Sequence, residues 1–208
     1  MVAIIAILAA IAVPNFLEAQ TRSKVSRNKA DMRSCATAIE AYAVDNNKYP
    51  PPWDYNLAQT PRTWGTFAEI PTGPFHSRMP GYLTTPVSYM TSLPSDPFRA
   101  TGAIGIAANL IPVGKRHIYF NMDYFYAGGV AGPPAINTIT MAEKLAGKWF
   151  FYSVGPDGTE WNAPSGTVAQ KVYRDYDATN GTISYGNVFR SQANGERLGV
   201  DPYFWTNP

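Results

Sequence analysis

The feature that most limits what this chain can become is its opening run, MVAIIAILAAIAV from Met1 to Val13, which carries no charged and no polar side chain. Alone it is too short to cross a bilayer, which takes about 20 apolar residues. It has neither the basic start nor the small-residue cleavage pattern of a secretory signal. Pro14-Asn15-Phe16 follows, and a helical pattern continues with no intervening loop. Val25, Met32, Cys35/Ala36, Ile39 and Tyr42/Ala43 recur three and four residues apart, which stacks them on one helix face. Most of the residues between them are good helix formers. Asp45-Asn46-Asn47-Lys48-Tyr49 and then Pro50-Pro51-Pro52 end the pattern, because proline lacks the amide a helix needs. The spacing predicts one long helix over 1–46, apolar and lipid-embedded over 1–14 and amphipathic over 15–46. Pro14 is expected to kink it or unwind it locally.

Arg22, Lys24, Arg27, Lys29 and Arg33 cluster just past the apolar run. They suit a solvated helix face, and equally a membrane surface where long cationic side chains reach headgroups. The stripe from Val25 to Ile39 needs cover, so the second half of the helix must pack on the remainder of the chain, a head over 47–208. The net charge of +2 is too small to imply a nucleic-acid partner. The single cysteine, Cys35, allows no internal disulfide and reads as a small buried helix residue.

The head is rich in turns, with 18 Pro and 17 Gly in the whole chain. Trp53–Arg78 has no clean period and reads as an irregular loop with at most a short helical piece; Gly102–Asn109 also reads as loop. Thr85-Pro86 is expected to open a short helix through Met90, with Thr85 as its cap. Arg116–Tyr126 alternates Ile118, Phe120, Met122 and Tyr124, a strand pattern. Lys148–Val154 reads as a second strand, and Ile183 with Val188-Phe189 as a closing one. Helical turns are expected over Thr140–Ala146 and Ser165–Arg174, and a tight turn at Asn180-Gly181. The fold class is therefore α+β: a long N-terminal helix on a small antiparallel sheet with long irregular loops.

The two histidines, His76 and His117, have no Cys, Asp or Glu at metal-ligand spacing. No nucleophile elbow, phosphate-cradling loop or zinc-protease motif is present. These patterns point away from an enzyme. Gly155-Pro156-Asp157-Gly158 reads as a turn.

The string AIIAILAAIAVPNFLEAQTRSKV, Ala3 to Val25, resembles the N-terminal segment of type IV pilins and of type II secretion pseudopilins, and most of all that of major pseudopilins. Pro14 matches the family's helix-kinking proline, and Tyr42 to Pro50 resembles the end of its long helix. The resemblance covers residues 2–50 and is thin beyond them. It implies a pilin fold and a filament subunit whose Ile4, Ile5, Ile7, Leu8, Ile11, Val13 and Phe16 pack in membrane and filament core. It implies partners: further copies of the chain, other pseudopilins, an inner-membrane assembly platform and a prepilin peptidase. The head would face the periplasm. Members carry a basic leader, a cleavage site before Phe and an early glutamate thought to meet a neighbour's N-terminus. By that pattern Met1 falls inside the mature protein, and an upstream start is expected.

Ser153-Val154-Gly155-Pro156-Asp157-Gly158 also resembles the stretch before the calcium-binding loop of major pseudopilins. That implies calcium at Asp157, with Asp175 and Asp177 as further oxygen donors. The resemblance leaves other readings open: a surface or minor type IV pilin for adhesion, motility or DNA uptake, or a membrane-anchored enzyme or sugar-binding module.

Overall fold

A computed structural model describes residues 2–52, 78–99, 115–123, 143–144, 146–158, 175–179 and 186–197. Helix α1 runs unbroken over Val2–Asn46, with Pro14 inside it. It stops where Asn47 takes a left-handed φ of 52°, a conformation Asn tolerates as a helix end. The prolines at 50–52 then prevent any resumption.

Among the described residues three short strands follow: β1 Ile118–Asn121, β2 Trp149–Ser153 and β3 Val188–Ser191. They form an antiparallel sheet in the order β1-β2-β3. Tyr119 lies opposite Phe151, and Phe151 opposite Arg190. The expected strands are thus present, shorter at their ends than the alternation suggested.

Side-chain alternation divides the sheet into two apolar faces. Tyr119, Trp149, Phe151 and Val188 join Val25, Met32, Cys35, Ala36, Ala38 and Ile39 of α1 in one core. On the opposite face Phe120 stacks on Phe150 at 4.7 Å between ring centroids, and Tyr152 packs on Phe189 at 5.3 Å. Strand β2 is buried at all five positions, which is why its sequence reads as a continuous apolar run. Full burial of a large apolar side chain stabilises by about 1.5–3 kcal/mol. Ile39, Met32 and Phe151, each 1% exposed or less, are therefore what holds the second half of α1 to the sheet.

The segment after Thr85 departs from expectation. No helix forms over 85–90. A single 3-10 turn, Gly81–Leu83, comes before it, and the Thr85–Pro86 peptide is cis. The amides of Tyr89 and Met90 both donate to the Leu83 carbonyl, at 3.0 and 3.1 Å. This folds the segment back on the 3-10 turn, so its hydrogen bonds are satisfied there rather than along a helix axis. The Tyr89 ring meets Tyr42 of α1 edge-on at 5.5 Å.

Glu143, Lys144 and Ala146 are helical, as expected of part of 140–146. The readings on Trp53–Ser77, Gly102–Asn109, Tyr124, Ser165–Arg174, Asn180-Gly181, Ile183 and His76 lie outside the described residues.

Candidate functional site: the exposed half of α1 and its anchorage

The two halves of α1 face different surroundings. Burial starts at Val25 and ends at Ile39. Upstream, Val2, Ile4, Ile5, Ile7, Leu8, Ile11, Val13, Phe16 and Leu17 are exposed by 52% (Leu17) to 82% (Val2). An apolar surface this continuous is not tolerated in water by a monomer and marks a membrane or protein contact. By length and composition the helix can cross a membrane, and none of its most apolar window is covered by the head. The structure thus groups Ile4, Ile5, Ile7, Leu8, Ile11, Val13 and Phe16 on one free stretch. α1 stays helical through Pro14.

A second requirement of such a helix is that the head hold it firmly. Polar contacts centred on Asn28, Glu40 and Glu196 do so beside the apolar core. Asn28, buried on the α1 face, has its Oδ1 2.7 Å from His117 Nε2. Glu40 accepts hydrogen bonds from Trp149 Nε1 at 2.9 Å and from the Tyr49 hydroxyl at 3.2 Å. Glu196, just beyond β3, pairs with Lys29 and Arg33, and the Arg33 hydrogen bond holds its carboxyl below the usual range. These pairs are part-exposed, so they contribute little beyond orientation.

The head also holds a buried carboxylate that the sequence reading missed. Asp96, 3% exposed, accepts from Ser153 Oγ at 2.7 Å, from the Phe98 amide at 3.0 Å and from the Val154 amide at 3.0 Å. Its own amide donates to the Lys115 carbonyl at 2.7 Å. A carboxylate with this many donors ties the 94–98 turn to the end of β2.

His117 is fully buried, and desolvation pushes its pKa below the ordinary value, opposed by Asp96 and Asp31 and assisted by Arg99 and Arg78. The unfolded chain therefore binds the proton more tightly than the folded one. Stability from this group is complete above about pH 6.5 and declines as pH falls through and below that value. Chemical denaturation between pH 8 and pH 5 should show this decline, by at most about 1.4 kcal/mol per pH unit. His117→Gln should lower stability at pH 8 but remove the histidine's share of the slope. An unchanged slope in that variant would assign the pH dependence elsewhere.

The segments that carry the proposed oxygen donors Asp157 and Asp175 both approach the backbone of Gly186. Asp157 sits in the turn Gly155–Gly158, closed by the Gly158 amide donating to the Gly155 carbonyl at 3.1 Å. Gly155 has φ +76°, and a Cβ there would lie 2.1 Å from the Gly186 carbonyl oxygen. A Cβ on Gly186 would in turn lie 2.4 Å from the Asp175 carbonyl oxygen. The turn and the Asp175 segment thus each pack against Gly186. The carboxylate of Asp177 accepts from the amide and hydroxyl of Thr179 at 2.8 and 2.7 Å, closing a local turn. Among the described residues, no group of three or more His, Cys, Asp or Glu side chains is placed to hold a metal ion. The described carboxylates do not by themselves make a calcium site.

Comparison with known proteins adds one match. The chain is 45% identical over 49 residues to the type IV major pilin protein PilA of Myxococcus xanthus (strain DK1622). That similarity supports a pilin-like family. The matched stretch is 24% of this chain and 22% of the relative, so the chain spans only a minor part of that protein's length. No family model and no solved structure matches. With the long helix on a three-stranded antiparallel sheet, the likeness points to a structural filament subunit rather than an enzyme.

Proposed function

We propose that the chain is a pseudopilin of a type II protein secretion system, polymerising through the exposed half of α1 so that filament growth drives protein export. The observation that carries the filament role is the division of α1. An apolar half-helix stands free of a head that is locked to the other half. Lipid covers that half in the membrane, and neighbouring helices cover it in a filament. No other surface described here offers so continuous an apolar contact. The head then faces the periplasm, and the inner-membrane platform and other pseudopilins are the remaining partners. Full-length protein co-produced with a secretion assembly platform should yield filaments visible by electron microscopy. Deletion of the gene should leave exported proteins in the periplasm.

A surface type IV pilin is the second reading, favoured by the similarity to a type IV major pilin. Deletion would then abolish surface filaments and leave secretion intact, which separates the two.

Calcium at the Asp157 turn belongs to the pseudopilin reading and rests on the resemblance of Ser153–Gly158. A site using this turn requires oxygens beyond the described carboxylates. Excess calcium should raise the thermal midpoint of the chain by a few degrees, and chelator should reverse it. A midpoint indifferent to both removes calcium from the account.

A further inference from the structure

A groove of about 690 Å³ lies between α1 and the 90–97 segment, and α1 contributes Lys24, Arg27 and Asp31 to its wall. The opposite wall includes Met90, Ser92 and Ser95. On α1 the three charged residues are spaced i, i+3 and i+7, so they form one line along the helix. Their neighbours in the basic cluster are already engaged. Arg22 pairs with Glu18 at 2.5 Å, and Lys29 and Arg33 pair with Glu196. Among the described residues Lys24 and Arg27 make no ion pair, and Asp31 makes none although Arg27 stands one turn away.

The position of this line is as informative as its charge. Leu17 is the last of the exposed apolar residues at the membrane end of α1. At 1.5 Å per residue, Lys24 lies about 10 Å and Asp31 about 20 Å farther along the axis. Side chains on a helix tilt toward its N-terminus, here toward the membrane. Lys24 and Arg27 can therefore reach down to the phosphate level of the bilayer surface. The order of charge, cation nearer the membrane and carboxylate farther out, is the inverse of a headgroup whose phosphate lies inside and whose ammonium lies outside.

We propose that this groove binds the headgroup of a zwitterionic aminophospholipid, phosphate against Lys24 and Arg27 and ammonium against Asp31. The inference rests on the membrane-anchored reading of α1. It adds to that reading a lipid preference written into the chain beside the anchor. Phosphatidylglycerol would meet the cations equally well but would set a neutral glycerol rather than an ammonium against Asp31, so amine-bearing lipid is preferred over it. Phosphatidylcholine carries a methylated ammonium that cannot donate hydrogen bonds to Asp31, so it ranks lower as well.

The test uses the full chain in phosphatidylcholine vesicles carrying a minor share of phosphatidylethanolamine or of phosphatidylglycerol. Lipid retained on the protein is counted by native mass spectrometry after extraction. Wild type should retain phosphatidylethanolamine over both other lipids. Retention should fall roughly fivefold for each cation removed in Lys24→Ala and Arg27→Ala. Asp31→Asn should keep lipid but reverse the preference toward phosphatidylglycerol. Free phosphoethanolamine in excess should not displace the lipid, because the acyl chains hold the headgroup at the site; displacement would assign the groove to a soluble phosphate ester and overturn the proposal. Equal retention of the three lipids, or retention unaffected by the double alanine variant, would also overturn it. All three residues lie on the helix surface, and near-UV circular dichroism checks that the head stays folded. Membrane fractionation of wild type separates the two levels. Wild type absent from membranes sinks the anchored reading together with the proposal. Wild type in membranes without lipid preference sinks the proposal alone.

Discussion

Asp96→Ala should lower the stability of the chain by about 3 kcal/mol, the range expected when one partner of a buried charged hydrogen-bond network is removed. The substitution removes the acceptor for the Ser153 hydroxyl and for the amides of Phe98 and Val154, in a site where the carboxylate is only 3% exposed. Those donors have no water to turn to, so each retains its desolvation penalty. It also takes away one of the two carboxylates, Asp96 and Asp31, that oppose the lowering of the His117 pKa. For a domain of this size the loss corresponds to a drop of roughly 10 °C in thermal midpoint. Asp96→Asn separates geometry from charge. It keeps one acceptor oxygen but offers an NH2 where the other stood, so it should fall between wild type and alanine. A midpoint for Asp96→Ala within about 2 °C of wild type, less than a kcal/mol on this scale, would show that the network is not what joins the 94–98 turn to β2.

The residue that dominates this prediction was invisible in the sequence for a physical reason. Pro94-Ser95-Asp96-Pro97 reads as a surface turn, where an Asp ordinarily bonds its own backbone two residues on. Asp96 does make that local bond, to the Phe98 amide. The Ser153 hydroxyl meets that same oxygen, and the Val154 amide the other one, only because β2, 57 residues away in sequence, ends at the same place. No local pattern encodes such a contact. Asn28 is different. It falls three residues after Val25 and four before Met32, inside the apolar stripe, and a lone amide at a core position is a sign of a buried partner. The sequence could have suggested that contact, though not that His117 would supply it.

What was legible is what short-range periodicity controls. The three- and four-residue spacing of Val25 to Ile39 set the buried face of α1, and the continuous apolar run of Lys148–Val154 marked the central strand. The 85–90 segment departs from expectation because a Thr-Pro pair suits a helix start by local pattern alone. The hydrogen bonds that decide the outcome run back to Leu83, outside the window that the pattern considers. Calcium coordination is further still from local pattern, since it requires oxygens from separate segments to converge.

Ile7→Arg should have the larger consequence for function while leaving the head untouched. Ile7 is 62% exposed and lies in the free half of α1, so the variant disturbs no contact within the chain. In lipid the exchange replaces a residue that favours insertion with one that opposes it by about 2.5–3.5 kcal/mol at mid-membrane. The combined change of about 3 kcal/mol is roughly a 150-fold loss in partitioning. Reaching back to the surface marked by Lys24 does not relieve it, because that position lies about 25 Å along the helix. In a filament the same guanidinium would enter a packed helical core without a described anion to meet it, and a buried unpaired charge is strongly destabilising. The expected result is a protein with wild-type thermal midpoint, greatly reduced membrane retention and no filaments. Val44→Arg is the matched control. It introduces the same charge at an 83% exposed position on α1 beyond the packed region, where water already surrounds it. It should retain both membrane association and filaments. If Ile7→Arg remains in membranes and polymerises as Val44→Arg does, the exposed half of α1 is neither anchor nor filament core, and the free apolar surface from Val2 to Leu17 must serve another contact.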